Sequence, residues 1–440
     1  MTLQILHNLL EIRQRKFIEL METGSAALFL AAPALHRNSD VEYNFRQDSS
    51  FWYFTSFNEP ESALLIIKTK TETKKVFFCR VREKEKEIWT GYRAGLDGAK
   101  HITGIDEVYE FKSLEDYLEK YLLGISHFYF DTTTPNSHSF LRNKIAEIAR
   151  NKRIQRYTNT QNLVAELRLF KDDYEISLMR EAAQISAQAH LLAMKEAKAG
   201  VAEYLIEGKI QGYFREHNAD WAYPSIVAGG NNATILHYVN NNQKLEKGKL
   251  LLIDAGCERD YYASDITRTF PVESKYNSAQ KDIYELVLKS QKACIERCAL
   301  ATKEENISFD SIHDLAVKIL SQGLIELKLL SGTLEEVIEK KAFRKFYMHR
   351  TGHWLGLDVH DLGSYIEPHT DGLSRILRPG MVTTVEPGLY FDPEDSSIPK
   401  DFRGIGVRIE DDVLITNNGI EVLTKDIPKE VSEIESIIGV

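Results

Sequence analysis

The sequence predicts an α+β protein of two domains. The chain has 440 residues, more than one hydrophobic core usually organises. Its first third interleaves short apolar runs of strand type with helical patterns. Past a long amphipathic segment starting at residue 172, strand and helix signals are segregated rather than strictly alternating, which favours α+β over a doubly wound sheet.

In chain order, "ALFLAA", "ALLIIK", "KVFFCR" and "HFYFD" read as buried strands of the first domain. The run "SAALFLAAPAL" (residues 25–35) follows Arg13, Arg15 and Lys16, in the manner of a signal peptide. Glu19 and Glu22 interrupt that pattern and the run starts late, so a strand is the better reading. Asp172 or Asp173 caps the long helix, Ile176, Met179 and Ala183 share one face, and Gly200 ends it. The domain boundary falls near Phe170, giving domains 1–170 and 171–440. The second contains the strand signals "KLLLIDAG", "DITRTFPV", "MVTTVEPGLYF" and "IGVRIEDDVLIT". No apolar stretch approaches the ~20 residues that span a bilayer.

Composition narrows the function. A hydrophobic fraction of 43% with 27% charged residues is that of an ordinary folded protein. The net charge of −10 argues against nucleic acid as a partner, since phosphate binding needs a basic surface. Four scattered cysteines form no disulfide framework; Cys294 and Cys298 lie four apart on a helix, as on a packed face. A cytoplasmic location is expected.

The chemistry lies in acids at strand ends. Asp254 ends "KLLLID", Asp265 follows eleven residues later, Glu386 ends "MVTTVE", and Glu410 sits within "GVRIEDD". Any one of them reads as a carboxylate facing water. Four together do not, because acids are rarely buried unless paired or bound to metal. Between the pairs, "YMHRTGHWLGLDVHD" carries His349, His353 and His360, and Gly352 and Gly356 break any continuous zinc-type helix there. His237 follows the loop "GGNNAT". Four converging carboxylates repel unless cations balance them. Two divalent ions supply +4; a bridging hydroxide leaves −1, which Arg408 and the histidines offset. Oxygen ligands with one imidazole suit Mn²⁺, with Co²⁺ or Zn²⁺ as alternatives.

These motifs, "IDAGCERDYYASDITRTF", "HRTGHWLGLDVHD", "TVEPGLY" and "GVRIEDD", together resemble the metallopeptidases of the pita-bread fold, which include methionine aminopeptidase, prolidase and aminopeptidase P. Residues 37–62 and 87–99 resemble the first domain of bacterial aminopeptidase P. The resemblance implies a creatinase-like N-terminal α/β domain and a C-terminal pita-bread metallopeptidase domain. It also implies that Asp254 binds one metal, that Asp265 and Glu410 bridge, and that His353 and Glu386 complete the second metal. His237 and His360 match histidines that contact substrate and stabilise the tetrahedral intermediate, and His349 matches one lining a proline pocket. Arg408 is implied to orient the bridging acid, and Glu386 to act as acid/base. Trp89 matches a residue that reaches a neighbouring subunit's site, so a homo-oligomer, a tetramer or else a dimer, is expected. The implied reaction releases the N-terminal residue from Xaa-Pro peptides. Prolidase is the alternative. A metal-free pita-bread binding module is a third reading, against which the intact ligand set argues.

Overall fold

The computed structural model describes residues 2–131, 139–152, 154–273, 275–302 and 307–438. The chain divides into two compact units, Met1–Leu167 and Arg168–Val440. Among the described residues no helix is long and apolar enough to cross a membrane.

The first unit is built on a six-stranded mixed sheet. Strand Ser25–Leu30 lies inside it, antiparallel to Ala63–Lys68 and parallel to His127–Phe130. The signal-like run is therefore a central strand, and its residues Ala26, Ala27 and Leu28 are buried. Helix Leu3–Leu20 buries Phe17 against Phe29 and Phe54, with ring centroids 5.1 and 5.2 Å away. Such edge-on aromatic contacts add to the burial term.

The second unit opens with helix Asp173–Glu196, started by a capping box between Asp172 and Glu175. Ile176, Met179 and Ala183 are buried, as their spacing requires. The helix stops at Glu196 rather than at Gly200. The glycine, at φ +85°, instead turns the chain toward Val201, and its N–H donates to the Leu245 carbonyl.

Two of the three antiparallel three-stranded sheets among the described residues of this unit position the acids. One orders Ile226–Gly229, Leu250–Asp254 and Thr267–Pro271; the other orders Val382–Val385, Asp411–Thr416 and Gly419–Val422. Alternation along Leu250–Asp254 sorts its side chains. Leu251 and Ile253 enter the main core with Ile283, Val287 and Leu320 of the helices Ser278–Ala299 and Phe309–Glu326. Leu252 packs with Ile226, Ala228 and Tyr390, and Asp254, two residues on, shares that face. Cys294 and Cys298 belong to the core, and all four cysteines are buried and unbonded.

"MVTTVEPGLYF" and "IGVRIEDDVLIT" each read as one strand, and each is two. The first splits into Val382–Val385 and Gly388–Tyr390, the second into Gly406–Arg408 and Asp411–Thr416. Val385 pairs with Asp411 in one sheet, while Gly388 pairs with Arg408 in a separate hairpin. Pro387 lacks the N–H that would continue the ladder, and the chain changes sheets there.

Candidate metal centre

All four acids occupy breaks between strands. Asp254 is the last residue of its strand, and Asp265 lies between Tyr262–Ala263 and Thr267–Pro271. Glu386 and Glu410 stand at the two facing breaks just described. At such a break the chain leaves its ladder, and a side chain is free to point between sheets. The backbone is nevertheless held. Glu386 N–H donates to the Thr351 carbonyl, Glu410 N–H to that of Thr267, and Asp265 N–H to Asp412 Oδ2 at 3.1 Å.

Donor atoms of Asp265, His353 and Glu410 lie within 4.8 Å of one another, close enough to hold a metal ion. The other two acids adjoin this trio. His353 Nε2 stands 3.4 Å from Asp265 Oδ2 and 3.7 Å from Glu386 Oε1. The Tyr223 hydroxyl lies within hydrogen-bond distance of both Asp254 Oδ1, at 2.6 Å, and Asp265 Oδ1.

The histidine is oriented by the strand beside it. His353 N–H donates to Thr384 Oγ1 and its carbonyl accepts from Thr384 N–H. Gly352 makes that approach possible, since a Cβ there would meet the Thr384 carbonyl oxygen at 2.1 Å. His353 Nδ1 is 3.0 Å from the Trp354 carbonyl, which can only accept, so the proton sits on Nδ1. Nε2 is left to face the acids, the arrangement by which a carbonyl fixes a metal-ligating imidazole.

Electrostatics marks the cluster as short of positive charge. Burial, then its acidic neighbours Asp265, Glu386 and Asp254, pushes Glu410 well above the usual carboxylate range. Burial raises Glu386 to about 7, against the opposing charges of His353 and Arg408. Burial opposes a charge on His353, yet Asp265 and Glu386 lift it to about 9. Arg408 is the guanidinium within reach. It donates to Asp254 Oδ2 at 2.6 Å and to Thr267 Oγ1 at 3.1 Å, and Thr267 in turn donates to Glu410 at 2.7 Å. The expected orientation of a bridging acid by Arg408 therefore runs through Thr267, and its direct partner is Asp254. Four carboxylates facing one guanidinium, with Nε2 of one imidazole aimed at them, form a donor set that fits hard divalent cations.

The cluster forms one wall of a cavity of about 900 Å³ that also takes in His237, His349 and His360. The His360 ring sits 4.2 Å from that of His353, and burial, with the neighbouring His353 and His237, lowers its pKa. His349 is held by the Arg350 carbonyl through Nδ1 and the Tyr390 hydroxyl through Nε2, and burial drives it down to about 3. It is a neutral ring at neutral pH. Nine of the ten expected site residues thus line one cavity. Trp89 does not: it is 87% exposed on the helix Lys84–Thr90 of the first unit.

Sequence reading missed Tyr223, Thr267, Thr384 and Tyr390, uncharged residues with no spacing signal. It also left "EDD" unresolved. Burial alone would raise Asp411, but Arg268 and Lys429 outweigh it, so this acid is a structural ion-pair partner. Asp412 supports Asp265 from behind.

Comparison with known proteins places this geometry. Residues 177–417 match the model of metallopeptidase family M24, and residues 10–129 match that of the aminopeptidase P N-terminal domain. A Haemophilus influenzae protein named Xaa-Pro aminopeptidase is 43% identical over 98% of this chain and 96% of its own length. The human protein Xaa-Pro aminopeptidase 3 is 36% identical over 98% of this chain and 84% of its own. Zinc-substituted aminopeptidase P of Escherichia coli, solved with product, superposes with a TM-score of 0.91 at 41% identity, covering 98% of both chains.

Proposed function

Because this chain belongs to metallopeptidase family M24, we propose that it is a metal-dependent aminopeptidase releasing the first residue of peptides whose second residue is proline. The observation that carries this is the convergence of Asp254, Asp265, His353, Glu386 and Glu410 on one wall of an otherwise largely apolar cavity. Asp265 and Glu410 are assigned to both of two ions, Asp254 to one, and His353 with Glu386 to the other. Mn²⁺ is the ion proposed, with Co²⁺ and Zn²⁺ as alternatives. When bound, the ions would lower the pKa of a water and polarise the scissile carbonyl.

The chain's own groups do the rest. Glu386 is assigned to take a proton from the attacking water and return it to the leaving amine. His237 and His360 line the same cavity and are assigned to the carbonyl oxygen as negative charge develops there. His349, neutral and fixed at both ring nitrogens, offers a flat face to the proline ring. A tertiary Xaa-Pro amide has no N–H to donate, so shape has to do the recognition.

With the chelated enzyme reloaded with Mn²⁺, Ala-Pro-Ala is expected to lose its first residue. Ala-Ala-Ala is expected to fall about 10- to 200-fold in kcat/KM, the range for small apolar differences in a pocket. Cleavage confined to the dipeptide Ala-Pro would make the enzyme a prolidase, and equal rates on both tripeptides would remove the proline pocket.

Assembly is proposed from the first unit. Ile88, Trp89 and Tyr92 are 80%, 87% and 92% exposed, an apolar cluster that a second subunit would cover. A homotetramer in which Trp89 approaches a neighbour's site is expected by light scattering. A fully active monomer would end that proposal.

A further inference from the structure

The cavity wall carries a second guanidinium that the chemistry above does not use. Arg408 is buried and committed to Asp254, Thr267 and Tyr390. Arg350 lines the same cavity with its side chain 56% exposed. Among the described residues its one side-chain hydrogen bond goes to Asp310, itself 48% exposed and not part of the cavity lining. A guanidinium has five N–H donors, and an exposed ion pair of this kind holds weakly. The other titratable groups that feel its charge are His313, Asp314 and Tyr365. Tyr365 and Arg350 line the same cavity.

Position in the chain gives this charge a use. Arg350 adjoins His349, the residue assigned to the proline ring, and lines the same cavity, so its side chain can reach a chain that continues beyond proline. Two extended residues span roughly 7 Å, which brings the C-terminus of a tripeptide within one arginine side chain of that ring. We propose that Arg350 binds the free α-carboxylate of tripeptide substrates, making short peptides with a charged C-terminus the preferred class. The proposal rests on the aminopeptidase reading. A planar fork can donate two parallel hydrogen bonds to a carboxylate, which an amide terminus accepts less well. Because the contact is remote from the scissile bond and equal in ground and transition states, it acts on KM rather than kcat.

The test compares Ala-Pro-Ala with its C-terminal amide. Wild-type enzyme is expected to favour the acid by about five- to tenfold in kcat/KM, through KM. In Arg350→Gln that ratio falls toward one. In Asp310→Asn, which frees the guanidinium from its partner, the ratio rises. Raising the salt concentration lowers it in wild type. Equal use of acid and amide by wild type, or an unchanged ratio in Arg350→Gln, overturns the assignment while the aminopeptidase reading stands. Failure to cleave either tripeptide overturns both.

Discussion

Glu410→Ala is expected to lose at least one metal ion and nearly all turnover. Glu410 is 1% exposed, and its carboxylate shares a 4.8 Å cluster of donor atoms with Asp265 and His353. Partners that merely orient a ligand typically account for about 10–100-fold in metal affinity or activity, so loss of an assigned bridging ligand should exceed that range. Thr267→Val, which removes the hydroxyl that donates to Glu410 and accepts from Arg408, provides the comparison and should fall inside it. Metal content by elemental analysis and kcat/KM on Ala-Pro-Ala measure both. The chelated Glu410→Ala protein should unfold no more easily than chelated wild type, because one acid fewer relieves the crowding that raises Glu410. Stoichiometric metal and normal turnover in Glu410→Ala would remove the residue from the centre.

Asp361→Leu is expected to destabilise the fold by about 3–5 kcal/mol, the usual cost of stripping a partner from buried charges. Asp361 lies beside His360 and is 7% exposed. It accepts a hydrogen bond from Arg168, which also binds Asp358 at 2.7 Å, and Lys171 Nζ lies 3.1 Å from its Oδ2. Without Asp361, the nearly buried cations Arg168 and Lys171 would each lose a carboxylate partner, and the Asp358 side chain that Arg168 also binds is 38% exposed. The backbone is committed to the same site. Asp361 N–H donates to the Trp354 carbonyl, and a Cβ at Gly356 would reach Asp361 Oδ2 at 2.1 Å. Urea unfolding with an unchanged m-value should report the loss as a lower midpoint. A change below about 1 kcal/mol would mean that water or a neighbour neutralises the pair. Activity should fall as well, because the turn that carries His360 is tied down here.

The candidate ligands and their order were legible along the chain. An acid ending an apolar strand conflicts with its local pattern, and four such conflicts with a histidine cluster between them point to cations before any coordinates are known. The inner strands of the first sheet were legible as short continuous apolar runs, and the face carrying Ile176, Met179 and Ala183 by its helical period. The breaks at Glu386 and Glu410 were not. Both segments resume an apolar run beyond the break, and the pairing of Val385 with Asp411 and of Gly388 with Arg408 shows the chain moving between sheets. Tyr223, Thr267 and Thr384 were invisible because an uncharged hydroxyl fits a strand or a turn without conflict. The division of labour within "EDD" was hidden too. Period-two alternation sends neighbouring acids to opposite faces, but whether Arg268 or a metal waits on a given face is decided by segments about 140 residues away. The sequence by itself determined which groups would need compensating charge. The tertiary structure alone decided where they meet, because local periodicity sets the direction of a side chain while contacts between distant segments set what lies opposite it.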